Sequence, residues 1–237
     1  MDWSRGPLLG FDTETTGVDT DEDRIVTAAL VVREGDVTSL RTWLIDPGVP
    51  IPVEASNIHG ITTEHAQEFG QAPPAALEEI AQAITSHMSS GAPLVAYNAT
   101  FDVCILDAEL RRHGVATLEQ RLGRPVAPVI DPLVLDRAVD RYRRGKRRLV
   151  NLCEFYGVVD TGTLHTADAD VVATLDILER MVQHHPRLLA MSLEDLHAFQ
   201  HTAHQEWATN FNQWLARQGR PADVGTTWLS SAAPSGV

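Results

Sequence analysis

The chain has 237 residues, enough for one domain with a short appendage, and 43% are apolar, which supplies a core and excludes global disorder. Its apolar runs are too short to cross a bilayer, no signal peptide opens it, and Cys104 and Cys153 lack C-x-x-C spacing. A reduced, cytoplasmic protein with structural thiols and no membrane partner is therefore expected. The net charge of −13 excludes general coating of nucleic acid, yet over a third of the 19 Lys and Arg residues fall in one stripe, Arg137, Arg141, Arg143, Arg144, Lys146, Arg147 and Arg148. Such a stripe can hold a short polyanion locally.

In chain order, "PLLGFDTE" reads as a buried strand, followed by strands "RIVTAALVV" and "VTSLRTWLID" joined by a hairpin turn at "REGD". The period then becomes helical: Leu77, Ile80, Ile84 and Met88 recur behind two prolines. "APLVAYN" is a fourth strand. "TFDVCILDAELRRHG" is a helix opened by Thr100 and closed by Gly114. "VAPVID" is a fifth strand, "LVNLCEFYG" a short helix, and residues 166–185 a longer one with Val171, Leu175, Leu178 and Val182 along one side. This order indicates an α/β domain with a mixed five-stranded sheet and flanking helices.

The last fifth differs. Ser192, with Asp195 three residues on, opens an amphipathic helix of about seven turns. Its stripe is Leu193, Leu196, Ala203, Trp207, Phe211 and Trp214, and Gly219 and Pro221 end it. This helix either folds back onto the domain or offers its Trp-rich face to a partner. The domain boundaries read as 1–186 for the α/β domain, 187–220 for the helical extension and 221–237 for a flexible tail.

Three motifs carry candidate chemistry. In "FDTETTG", Asp12 and Glu14 are two apart on a strand and share a face, while Phe11 and Thr13 take the other. Paired carboxylates share a proton or bind a cation. Gly17 would let the chain turn sharply, leaving N–H groups near Thr15 and Thr16 to meet a ligand. In "AYNATFD", Asp102 stands in the first turn of a helix, at a sheet's carboxyl end. In "HTADAD", His165 and Asp170 would face different ways on one helix; with Thr166 as N-cap, His165 lies on the preceding loop.

F-D-x-E-T-T-G at 11–17, N-A-x-F-D at 98–102 and H-x-A-x-x-D at 165–170, in that order, resemble the DEDDh (DnaQ-like) 3′–5′ exonucleases, the family of the polymerase III epsilon proofreading subunit. "NIHGIT" at 57–62 and "KRRLVNLCEFYGV" at 146–158 match further family blocks, and the resemblance covers about residues 7–184. It implies an RNase H-like fold that gathers Asp12, Glu14, Asp102 and Asp170. An all-carboxylate set suits two divalent ions, Mg²⁺ or Mn²⁺, in place of zinc.

In family terms Asp12 bridges both ions, Glu14 and Asp170 hold the one that activates water, and Asp102 supports the second. His165 is the general base. Asp168 competes with Asp170, but the H-x₄-D spacing selects Asp170. The backbone of Thr15 and Thr16 receives the terminal 3′-OH, and Thr13 is a further substrate-binding residue. His59, Ile61 and Phe101 contact or wedge the last bases, Asn98 binds near the scissile nucleotide, and Arg144, Lys146 and Arg147 hold the upstream strand.

The implied activity is 3′–5′ removal of nucleotides from single-stranded DNA, in proofreading or repair. The alternatives are an RNA-directed relative such as an oligoribonuclease and a non-catalytic polymerase-associated module. A DNA polymerase subunit is an expected partner of the C-terminal helix.

Overall fold

The computed structural model describes residues 3–159 and 166–230. The apolar alternation at the start of the chain builds three antiparallel strands, β1 (Leu8–Thr15), β2 (Ile25–Glu34) and β3 (Val37–Leu44). Glu34 pairs with Val37 across a two-residue turn, and Gly35 supplies its positive φ of 56°. Two short strands, β4 (Leu94–Val95) and β5 (Val129–Ile130), add parallel to β1 on its other side, giving the order β3-β2-β1-β4-β5. The expected mixed five-stranded sheet is therefore present.

Nine α-helices are described: α1 (Val53–His59), α2 (Thr63–Phe69), α3 (Pro73–Ser89), α4 (Ala99–Arg112), α5 (Leu118–Leu122), α6 (Pro132–Val139), α7 (Leu149–Tyr156), α8 (Ala167–His184) and α9 (Leu193–Arg217). Side chains alternate across the sheet and feed two apolar layers. Leu9, Phe11 and Leu94 pack with Leu77, Ile80 and Ile84 of α3 and Ile105 of α4. On the opposite face, Leu8, Val31 and Val95 pack with Leu152 of α7 and Val171, Leu175 and Leu178 of α8. Gly10 lies on this second face, where an added Cβ would stand 2.5 Å from Val171 Cγ1. The missing side chain lets α8 lie directly on β1.

Several local expectations change. The strand "APLVAYN" shortens to two residues because Asn98 takes a left-handed conformation, φ 61° and ψ 46°, and turns the chain into α4. That helix therefore begins at Ala99, just before the expected opening at Thr100. The NIHGIT block contains the end of α1, Gly60 at φ 78° and Thr62 as N-cap of α2, whose hydroxyl accepts the His65 N–H. A capping box of Thr117 and Gln120 starts α5, an element the apolar period is too short to reveal.

The C-terminal helix folds back. Its N-cap is Ser192, which accepts the Asp195 N–H at 3.1 Å. Gln200, fully buried, donates to the Val129 carbonyl at 2.9 Å and accepts the Asp131 N–H at 2.6 Å. His197 Nδ1 accepts the Val129 N–H at 3.1 Å. These side chains complete the exposed edge of β5, whose backbone groups would otherwise lack partners. Residues 221–230 are not a loose tail: Asn212 exchanges two hydrogen bonds with Val224, and Trp228 is buried in the first apolar layer. Residues 231–237, the rest of the expected tail, lie outside the described residues. Cys104 and Cys153 are buried and form no disulfide, and no described helix is long and apolar enough to cross a membrane.

Replacing Gln200 by Leu leaves the Asp131 N–H and the Val129 carbonyl buried and unpaired. A destabilisation of about 2 kcal/mol or more is expected in urea unfolding. A loss below about 0.5 kcal/mol would show that this edge needs no side-chain partner.

Candidate active site

The site is built where the parallel strands end. Gly10, Asp12 and Glu14 share the α8 face of β1, while Phe11 and Thr13 face α3 and α4, as strand alternation requires. Close packing of α8 at Gly10 brings its first turn to the acids. Carboxylate oxygens of Asp12, Glu14 and Asp170 all lie within 4.8 Å of one another. Asp168, the competitor in sequence, instead borders an adjoining cleft of 280 Å³ with Glu14, His59, Ile61, Thr166 and Trp43.

Asp102 comes from the other layer. It is buried in the first turn of α4 and accepts the Thr13 hydroxyl at 2.8 Å. It stands beside the three-carboxylate group without belonging to it. The Thr13 side chain thus fixes Asp102 from a buried position, and a direct side-chain contact with substrate is not what the geometry offers.

Electrostatics describe a site short of positive charge. Burial pushes the Asp12 carboxyl well above the usual range, and Asp102, Asp170 and Glu14 push it further. Glu14 is raised to about 8, first by burial and then by Asp170 and Asp102. Asp102 is raised to about 7 by burial, opposed by the hydrogen bond from Thr13. Clustered acids that resist ionisation are what a bound cation would reverse. Their hard oxygens fit divalent ions of the Mg²⁺, Mn²⁺ or Ca²⁺ kind.

The remaining sequence candidates separate into those at the cleft and those with other work. His59 is buried; its Nδ1 accepts the Ile61 N–H at 3.2 Å, and its Nε2 meets no hydrogen-bond partner among the described residues. Burial holds this imidazole below its usual pKa, and the nearby Thr15 backbone opposes the shift. His59 and Ile61 line the cleft beside Glu14.

Thr16 departs from expectation. Its N–H donates to the Arg24 carbonyl at 2.9 Å, and its hydroxyl donates to Asp23 at 2.7 Å, so neither is open to a ligand. The Thr15 hydroxyl donates to the Gly17 carbonyl. Gly17 has an ordinary φ; its role is space, since a Cβ there would stand 2.4 Å from the Asp23 carboxylate. Asn98 is exposed at the start of α4, and Phe101 packs half-buried against the first layer. His165 lies outside the described residues.

The basic stripe is divided. Arg147 donates from Nε to the fully buried Asp136 at 2.6 Å, and Arg143 pairs with the same carboxylate, which also accepts the Tyr156 hydroxyl. Arg147 is therefore a structural residue: with Asp140 also pairing Arg143 at 3.6 Å, two carboxylates meet the two guanidinium groups. Arg144 and Lys146 are exposed, on a loop fixed by the Tyr97 hydroxyl donating to the Arg147 carbonyl at 2.7 Å. Tyr97 directly precedes Asn98, so this loop is moored at the carboxyl end of β4.

Two supporting residues escape a motif-based reading. Asp131 is buried and accepts the N–H groups of Asn98 (3.1 Å), Ala99 (2.9 Å) and Leu133 (2.9 Å), locking the left-handed turn that launches Asp102. Its Asp-Pro sequence carries an N-cap signal for α6, but not the link to α4. Gln200 has no local signature at all.

Fold and acids together define an RNase H-like α/β domain with an acidic metal-type cage. Residues 9–178 match the family model described as Exonuclease, and the chain belongs to that family. It is 35% identical to the PolC-type DNA polymerase III of Streptococcus thermophilus over 69% of this chain and 10% of that one. It is 32% identical to DNA polymerase III subunit epsilon of Treponema pallidum, over 76% of this chain and 78% of the relative. The zinc-bound E. coli exonuclease I–single-stranded DNA complex shares the fold, with a TM-score of 0.65 at 21% identity over 78% of this chain and 42% of that one. The chain thus spans only about a tenth of the PolC relatives' length.

Glu14 has an ordinary value of 4.5 and rises to about 8 in the fold. Between those values the unfolded chain has released the proton and the folded chain has not, so stability of the metal-free protein falls as pH rises through this window. Glu14→Gln removes that cost. Its metal-free melting midpoint at pH 8 should exceed the wild type's by roughly 5 °C. Equal midpoints would mean that Glu14 is ionised there without penalty.

Proposed function

We propose that the protein is a metal-dependent 3′–5′ exonuclease acting on single-stranded DNA, in proofreading or repair. The observation that carries this reading is the convergence of Asp12, Glu14 and Asp170, with Asp102 beside them, next to the cleft of His59 and Ile61. One relative is a DNA polymerase III subunit epsilon and another a PolC-type DNA polymerase III, which favours DNA over RNA and association with a polymerase.

Asp12, Glu14 and Asp170 would hold divalent ions, Mg²⁺ or Mn²⁺, with Asp102 supporting a second ion. Such ions supply a nucleophile at neutral pH and charge stabilisation at the attacked phosphate. The chain's own groups do the rest. His59 and Ile61 receive the terminal nucleotide, Phe101 wedges the next base, and the Thr15 backbone faces the 3′-OH. Asn98 stands near the scissile nucleotide. Arg144 and Lys146 meet upstream phosphates from their moored loop. His165 takes the proton of the attacking water, a task suited to an imidazole near neutral pH.

Two 5′-labelled strands of one sequence, DNA and RNA, are incubated with Mg²⁺. The expected product is a DNA ladder shortening from the 3′ end, with RNA cut more slowly. Asp12→Ala should abolish release, and His165→Ala should slow it by about 10²–10⁴-fold, with circular dichroism unchanged. Preference for RNA would overturn the substrate, and normal turnover by Asp12→Ala would overturn the site.

A further inference from the structure

A second concentration of functional groups lies outside the acidic cleft, along α9. Because His197 pairs with Val129 and Gln200 with Val129 and Asp131, α9 runs in the same direction as β5. Beyond Gln200 it passes the carboxyl end of β5, the end of the sheet at which Asp12 and Glu14 stand. At 1.5 Å per residue, Trp214 lies about 21 Å further along the axis than Gln200.

Over that distance Trp207, Phe211 and Trp214 form one pile. Successive ring centroids are 5.4 and 5.6 Å apart, with planes only 12° and 13° from parallel. The Arg137 guanidinium closes one end, 3.6 Å from the Trp207 centroid. At the other end Trp214 is 43% exposed. At the foot of the pile a 220 Å³ cleft opens between α6 and α9, bounded by Arg137, Arg141, Arg147 and Trp207. Arg147 is paired with Asp136, whereas Arg141 is exposed and pairs with no carboxylate among the described residues.

Near-parallel rings with an open end and a cation alongside form a stacking platform, tolerant of base identity. On a chain of net charge −13, this platform borders the one basic stretch, which complements a polyphosphate better than an apolar protein surface. We propose that α9 and the α6–α7 loop form an accessory track for single-stranded nucleic acid, in which Arg141 meets a backbone phosphate and a base extends the pile on Trp214. The inference rests on the exonuclease reading for strand direction: the 3′ end in the acidic cleft, the upstream bases on α9. Glu206 at the rim of the cleft is the acid that opposes it.

The test is fluorescence anisotropy of labelled oligothymidylates, about three and about 15 nucleotides long, with the full chain in EDTA to prevent hydrolysis. Trp214→Ala and Arg141→Glu change exposed side chains, and circular dichroism verifies their fold. Each should weaken binding of the long strand by about fivefold or more, with the short strand within about twofold. Arg141→Glu should also lower the salt slope by about one, and Glu206→Gln should tighten long-strand binding. Unchanged long-strand affinity in both variants overturns the track and is the result expected of a face that docks a protein. Equal losses on both lengths also overturn it, by placing the effect in the cleft. If the wild type releases no nucleotide yet long-strand affinity still depends on Trp214, the exonuclease reading fails and the track stands.

Discussion

The close approach of α8 to β1 at Gly10 governs the acidic end of the molecule. Asp12 and Glu14 are set by strand alternation, but Asp170 reaches them only because α8 lies against a strand position without a side chain. Any Cβ there meets Val171 and Leu175, and a well-packed layer accommodates such an intrusion by moving the helix. Burial and mutual repulsion then raise the carboxyls of Asp12 and Glu14 above their usual range. The apolar core thus forces together groups that repel one another, and a cation is the species that relieves them.

Two buried carboxylates outside the cage organise its surroundings. Asp131 ties together the end of β5, the start of α6 and the left-handed turn into α4 that carries Asp102. Its own N–H is held by Gln200, so the C-terminal helix is part of the support of the site. Asp136 gathers Arg143, Arg147 and Tyr156 and so shapes the loop that presents Arg144 and Lys146. Buried acids of this kind are tolerable because every one is met by N–H groups, guanidinium groups or a hydroxyl.

The sheet, the main helices and the acids of β1 and α8 were legible in the sequence because they depend on short periods and fixed spacings: two for Asp12 and Glu14, H-x₄-D for Asp170. What escaped depends on distant partners. The Thr16 N–H looks available in a Gly-containing turn, but β2 returns to bring the Arg24 carbonyl onto it. Arg147 counts as one of seven cations in a stripe until Asp136 is found beneath it. Gln200 in an amphipathic helix resembles surface, and only its position against the β5 edge makes it core. Residues 221–230 read as tail from their polarity, yet Trp228 anchors them.

The central claim is that the cage depends on this helix–strand approach, and metal binding tests it most directly. Mn²⁺ is titrated calorimetrically into the wild type and Gly10→Val, with circular dichroism confirming that both are folded. The wild type should bind, and the variant should lose about tenfold or more in affinity, since α8 and with it Asp170 must move away. Equal Mn²⁺ affinity in the two folded proteins would contradict the claim that β1 and α8 together make the site.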